Sequence, residues 1–341
     1  VRAAVLSSTD GTGILDLIEV ARPVPGPGQV LVQVVACGVC GHDQADRVGL
    51  LKIPLPAVLG HEISGIVADV GIGVTRFVPG DRVAGKQFGT CGHCSSCRDG
   101  DELRCPERTF TYGGYAEYAV LPETSLLAVP PKVDLVAASV VACAVGTGLQ
   151  ALRSRAALLP GETVLVTGAG GGLGLHGVQV AAALGARPVA LTGDGGKAGS
   201  LRELGADEVI TTGDTAWQEI LDVTDGRGAD IVLDNVGHPE IFRQAFRALA
   251  DRGRYVLTGQ VGPTPLRVHP AFLFAKDAVI TGSGSTSMAT FTEALAMVAA
   301  GRVTPLVARY SLDDVGRAFR DLDDRRVTGR AVLIPSAGGP I

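Results

Sequence analysis

Short runs of β-branched and other apolar residues, interrupted by Gly and Pro, occupy the chain from Ala3 to about Pro130. Gln29-Val30-Leu31-Val32-Gln33-Val34-Val35, Ile63-Ser64-Gly65-Ile66-Val67-Ala68-Asp69-Val70 and Tyr115-Ala116-Glu117-Tyr118-Ala119-Val120 are the clearest. Dense short strands of this kind predict a small barrel-like β domain. From about Pro160 the pattern changes to strand, helix, strand. Val164-Leu165-Val166-Thr167 precedes an apolar helix over Leu173–Leu184, and Val189-Ala190-Leu191 follows. The alternation continues through a helix ending at Leu201–Leu204, strands at Glu208–Ile210 and Ile231–Leu233, a helix over Ile241–Ala250, and strands at Tyr255–Leu257 and Ala278–Ile280. Five or six βα units of this kind make a doubly wound parallel sheet. The remainder carries helical patterns at Phe291–Ala300 and Val315–Leu322 and a last strand at Ala331–Ile334, too little to stand alone. The pattern therefore predicts an α/β chain: a β domain over 1–144 completed by 284–341, and a sheet-and-helix domain over 145–283.

Length agrees, since 341 residues at about 150 per domain make about two. Lys+Arg 30 against Asp+Glu 35 leaves a net charge of −5, which offers no basic footprint to nucleic acid or an anionic membrane. The longest weakly polar stretch, Val136–Leu149, is too short and too Gly-interrupted to span a bilayer. Val1–Asp10 lacks the basic start and sustained apolar core of a leader. These features point to a cytoplasmic enzyme acting on a small molecule. Seven cysteines in such a chain indicate metal or redox chemistry rather than a disulfide framework.

Cys91, Cys94, Cys97 and Cys105 form C-x2-C-x2-C-x7-C in a segment rich in Gly, Ser and His. Four thiolates so spaced close tetrahedrally on Zn²⁺ and leave no open position, so this metal is structural. An iron–sulfur cluster or free thiols are the other readings, and His93 reads as a solvated spacer. A second set is dispersed: Cys40, His61 with Glu62, and Cys143. Each alone reads as a packed core residue, and Cys37 with Cys40 mimics a redox C-x-x-C. Together, two thiolates and one imidazole make a three-ligand zinc site with an open fourth position.

Between strand and helix lies Gly168-Ala169-Gly170-Gly171-Gly172-Leu173-Gly174, a phosphate cradle by context. Gly168, Gly171 and Gly174 fit G-x-x-G-x-x-G; Gly172, Gly174 and Gly177 fit G-x-G-x-x-G but fall too far into the helix. The turn, with Gly172 and Leu173 included, is the candidate cofactor contact. The acidic residue that would hold the adenosine ribose is replaced by Thr192. With Lys197 available to a 2′-phosphate, this favours NADP(H) over NAD(H). Asp194, two residues on, is the rival ribose ligand for NAD.

The chain resembles the zinc-dependent medium-chain dehydrogenase/reductases, the alcohol dehydrogenase-like family, over essentially its whole length. Gly38-Val39-Cys40, Gly60-His61-Glu62, Pro79-Gly80-Asp81-Arg82-Val83, the four-cysteine loop, Gly113-Gly114-Tyr115-Ala116-Glu117-Tyr118 and the Gly-rich turn carry the resemblance. It implies a GroES-like catalytic domain and a Rossmann cofactor domain. It implies catalytic zinc on Cys40, His61 and Cys143, approached by Glu62, and thus two zincs per subunit. Two thiolates cancel the metal's charge, so a bound oxygen is polarised without being trapped. The resemblance nominates Asp43 as the acceptor for the zinc histidine, against its alternative reading as a helix cap. It also nominates Thr147 and Val236 near the nicotinamide, and Arg330 at the pyrophosphate, against a plain surface role. Where many relatives carry Ser or Thr to pass the alcohol proton, this chain has His42. It reads as the general acid or base, or as a side chain that narrows the pocket or faces solvent. Ala45 stands at the next relay position. The strand Ala278–Gly282 matches the segment through which family members pair, implying a homodimer or homotetramer.

The expected activity is zinc-dependent hydride transfer between a nicotinamide cofactor and an alcohol or carbonyl. The alternatives are an NADPH-dependent enoyl-thioester or quinone (C=C) reductase, and a non-catalytic recruited scaffold.

Overall fold

A computed structural model describes residues 1–9, 13–260 and 262–335. Positions 10–12 and 336–341, which the sequence pattern gives to the first domain, lie outside the described residues. The chain forms two compact units, Val1–Cys143 with Ser285–Ala300 and Pro305 onward, and Ala144–Gly284 with Gly301–Thr304.

The spine of the first unit is the Gln29–Val39 strand, which pairs antiparallel with Glu62–Val70, Tyr118–Pro122 and Arg330–Ile334. Apart from Gln29 and Gln33, its residues are buried, so it reads as a continuous apolar run rather than an alternating one. Register places the site: Gly38 lies opposite Glu62 on one side and Val332 on the other. A Cβ on Gly38 would stand 2.1 Å from Glu62 Oε2, so only glycine lets the carboxylate lie there. The Tyr115 run begins as a strand later than its pattern suggests, at Tyr118. The preceding residues serve another sheet: Tyr115 O accepts from Ala4 N at 2.8 Å and Glu117 N donates to Arg2 O at 3.1 Å. The chain switches sheets at Glu117, whose carbonyl accepts from Val34 N at 2.9 Å.

The second unit is a six-stranded parallel sheet in the spatial order Glu208–Thr211, Arg187–Thr192, Thr163–Thr167, Ala229–Asp234, Leu249–Leu257, Val279–Gly282. The order runs outward both ways from the first strand, Thr163–Thr167. That is the doubly wound arrangement, which binds ligands at the strand C-termini beside the reversal point. The helix expected over Ile241–Ala250 spans Pro239–Arg247 instead. Ala248 O accepts from Ala229 N at 2.8 Å, and this ladder bond draws Leu249 and Ala250 into the next strand. Val136–Leu149 folds as short buried helices flanking a π-turn, Val141–Val145. No helix among the described residues is long and apolar enough to cross a membrane.

Candidate active site

The Gly41–Arg47 helix starts where the spine strand ends, with Cys40 as its extended N-cap. Asp43, in the first turn and fully buried, gathers four donors. Its Oδ2 accepts from Cys40 N at 2.8 Å and Tyr115 Oη at 3.0 Å; its Oδ1 accepts from His61 Nδ1 at 3.1 Å and Gly60 N at 3.3 Å. Asp43 thus both caps the helix and orients the imidazole. A proton held on Nδ1 leaves the Nε2 lone pair for a metal.

Around that lone pair, ligand atoms of Cys40, His61, Glu62 and Cys143 all lie within 4.8 Å of one another. The four residues are between 1% and 7% exposed. The Cys40 and Cys143 sulfurs are 3.9 Å apart, and Zn–S bonds of about 2.3 Å give a tetrahedral edge of about 3.8 Å. Cys143 sits in the π-turn, a helical irregularity common at functional sites. Neither carboxylate oxygen of Glu62 has a hydrogen-bond partner. Burial pushes Glu62 up to about 7 against the pull of Arg330, whose Nη2 stands 3.3 Å from Oε1. The Cys143 contact, with Arg330 and His61, draws the Cys40 thiol well below its ordinary range despite burial. An orphaned carboxylate beside two thiols and an oriented imidazole is a donor set that a divalent zinc ion satisfies.

The sulfurs of Cys91, Cys94, Cys97 and Cys105 also lie within 4.8 Å of one another. Cys91 is 3.9 Å from Cys97 and 3.6 Å from Cys105. Cys91 N and Cys94 N each donate to a cluster sulfur at 3.4 Å. His93 is 72% exposed and bonds Cys91 O, outside the four-sulfur set. The donors match tetrahedral zinc without an open position.

In the second unit, Gly168 has φ +58, and a Cβ there would be 2.8 Å from Val236 Cγ2. A Cβ on Gly174 would be 2.2 Å from Gly168 O, so the turn and the helix start approach too closely for side chains. Gly171 is the N-cap of the Gly172–Ala183 helix, with Leu173 in its first turn. Lys197 Nζ donates to Gly170 O at 3.2 Å. Asp194 Oδ1 accepts from Gly196 N at 2.9 Å, and buried Thr192 accepts from Asp194 N at 3.2 Å. Thr147 is buried on the Gly146–Gln150 helix. Arg330 is brought to Glu62 and Val39 O, among the metal-site residues.

Residues 26–131 match the alcohol dehydrogenase GroES-like domain, and residues 172–300 match the zinc-binding dehydrogenase family. The acryloyl-coenzyme A reductase of Metallosphaera sedula is 35% identical over 322 residues, 92% of this chain and 95% of its own. The chain belongs to the zinc-dependent medium-chain dehydrogenase/reductases. Among the relatives in this family, the NAD-dependent alcohol dehydrogenase of Saccharolobus solfataricus is 32% identical, covering 94% of this chain and 96% of its own. The crystal structure of the Aeropyrum pernix alcohol dehydrogenase superposes with a TM-score of 0.92 at 29% identity, over 98% of this chain and all (100%) of that one. As a medium-chain dehydrogenase/reductase the chain is an oxidoreductase with GroES-like and Rossmann domains.

Within that frame His42 has an environment that its position alone does not disclose. Its ring stacks on Phe110, with centroids 4.7 Å apart and planes 11° from parallel, and meets the His61 ring edge-on at 5.5 Å. Nε2 is 3.7 Å from Asp46 Oδ2, which accepts from Tyr112 Oη at 3.0 Å. Sequence reasoning missed Asp46, although a carboxylate four residues after His42 on a helix shares its face. It also missed Asp234, fully buried, which accepts from Thr167 Oγ1 at 2.6 Å, Tyr255 Oη at 2.7 Å and Val236 N at 2.9 Å and so fixes the turn bearing Val236. Its signal was a charged residue directly after the apolar run Ile231–Leu233.

Proposed function

We propose that this enzyme transfers a hydride between an alcohol or carbonyl substrate and a nicotinamide dinucleotide, NADP(H) in preference to NAD(H), and holds two zincs per subunit. The observation that carries this reading is the buried constellation of Cys40, His61, Glu62 and Cys143 with its orphaned carboxylate. Zinc held by Cys40, His61 and Cys143 would supply Lewis acidity toward the substrate oxygen, and the dinucleotide would give or take the hydride. Asp43 keeps the imidazole in the ligating tautomer. Glu62, unbonded and beside the donors, is placed to assist exchange of the fourth ligand, with Arg330 balancing its charge. Arg330, buried with its Nε unbonded, is the candidate contact for the pyrophosphate. His42, 37% exposed and braced by Phe110, moves the substrate proton. Uncharged Thr192 and basic Lys197 would meet a 2′-phosphate, while Asp194, whose Oδ1 accepts from Gly196 N, keeps a free oxygen and stays the rival ribose ligand for NAD. A small-molecule substrate, a cytoplasmic location, pairing through the Val279–Gly282 edge strand into a homodimer or homotetramer, and no nucleic-acid or membrane partner complete the reading.

A second reading, NADPH-dependent reduction of an enoyl thioester, is favoured by the acryloyl-coenzyme A reductases of M. sedula and Sulfurisphaera tokodaii, 35% and 31% identical. There His42 would protonate carbon. Zinc per chain, with NADPH and NADH oxidation against aldehydes, ketones and enoyl thioesters, separates the two. Two zincs with carbonyl turnover support the first; one zinc and turnover only of conjugated substrates establish the second.

A further inference from the structure

Lys86 follows the Arg82–Gly85 strand and leads into the four-cysteine loop. Its backbone is fixed on both sides: Lys86 N donates to Ser125 O at 2.9 Å, and Lys86 O accepts from Thr111 Oγ1 at 3.1 Å. The side chain is 1% exposed, and Nζ has no hydrogen-bond partner. An ammonium stripped of water requires compensating charge. Glu102 is near, but its Oε1 is 3.8 Å from Nζ, beyond hydrogen-bond length, and that same oxygen accepts from Met288 N. Glu102 itself lies in the loop, between Cys97 and Cys105, so the ammonium is set against the segment that carries the sulfurs; burial pulls it below its ordinary range, opposed by Glu102 first and then by the charge of Cys97 and Cys105. Four thiolates on a divalent ion leave two negative charges in excess. The other cations at the loop, Arg98, Arg104 and Arg108, are all exposed, Arg108 with its guanidinium 4.4 Å over the Phe88 ring, and solvent screens them. Lys86 acts from the buried side, where charge is felt most strongly.

We propose that Lys86 is the buried counter-charge of the four-sulfur loop, a positioning residue that holds the loop zinc by offsetting its excess negative charge. This rests on reading the loop as a zinc site. The test measures zinc per chain by elemental analysis and the rate of zinc release to a metallochromic chelator from full-length, zinc-loaded protein. The parent alone tests the loop reading: two zincs, one lost in Cys97→Ser, sustain it, and a parent lacking the second zinc sinks it. Given two zincs, Lys86→Met is expected to release one of them at least about tenfold faster, with Lys86→Arg within about threefold of the parent. Lys86→Met releasing zinc at the parental rate overturns the proposal. Lys86→Met/Glu102→Gln should stay at least about threefold faster than the parent; full recovery would show that Lys86 only neutralises Glu102, and overturns it. Should Lys86→Met not fold, Glu102→Gln decides, because it keeps an acceptor for Met288 N while freeing the ammonium for the sulfurs. Release slowed about twofold or more supports the proposal, and unchanged or faster release overturns it.

Discussion

The two clusters of candidate metal ligands in the first unit are built in opposite ways. Cys91, Cys94, Cys97 and Cys105 come from fifteen consecutive positions, three of them half-buried, held by N–H···S bonds from the loop itself. Cys40, His61 and Cys143 come from a helix cap, the position just before a strand and a π-turn, all buried. The loop supplies four sulfurs, so all its donors are spent on shape. The dispersed cluster supplies two sulfurs, one nitrogen and a carboxylate with both oxygens unbonded, so it has capacity to spare for a substrate. A local chain segment suffices for a closed site, whereas an open one depends on a protein interior that excludes water and holds ligands apart.

The sharpest way to break that contrast is Cys143→Ser. Turnover should fall more than about 10³-fold, a loss of ~4 kcal/mol or more of transition-state stabilisation, with zinc dropping from two to one and the loop zinc retained. Unchanged turnover would remove the dispersed cluster from catalysis. Cys97→Ser should do the converse: a melting temperature lower by ~5–10 °C, corresponding to ~2–4 kcal/mol, with the turnover of the folded fraction within about threefold of the parent. A larger loss of turnover than of stability would mean that the loop does more than hold shape.

Asp43→Asn removes the charge while keeping the outline. Because Asp43 supports only the dispersed cluster, zinc affinity and kcat/KM there should drop about 10–100-fold while chelator titration finds the loop zinc unmoved. Equal effects on both zincs would contradict the separation. Tyr115→Phe takes one donor from Asp43 and should cost about 1–2 kcal/mol in denaturant unfolding. Burial, and then the charge of Asp43, push the Tyr115 hydroxyl well above its ordinary range, so the folded state keeps a proton that the unfolded chain releases. Its contribution is therefore complete below a pH of about 10 and is lost as pH rises beyond it. Tyr115→Phe should flatten that alkaline decline, and a decline identical to the parent's would show that Tyr115 does not contribute to it.

The four-cysteine loop was legible because its spacing alone confines the sulfurs to one neighbourhood. The parallel sheet was legible from buried strands alternating with helices, and the Gly-rich turn from its place between them. The early end of the helix at Arg247 was not, because a ladder bond from Ala229 overrides an apolar pattern that suits helix and strand equally. Nor was the late start of the Tyr118–Pro122 strand, since the residues before it answer to a different sheet. The pairing of Arg330 with Glu62 was not legible either, since it follows from Ala331 lying opposite Val39, a register between segments 291 residues apart.

By itself the sequence determined the gathering of four cysteines in one loop, the two-part architecture and the glycines that close approach requires, because each depends on neighbours in the chain or on residue chemistry. Tertiary structure decided which dispersed cysteines and histidine bring their ligand atoms together. It also decided that Asp43 collects donors from Cys40, Gly60, His61 and Tyr115, that Asp46 stands behind His42, and that Lys86 is buried beside Glu102 of the loop. Those are matters of strand register and burial, and a buried charge is given its partners only when distant segments pack.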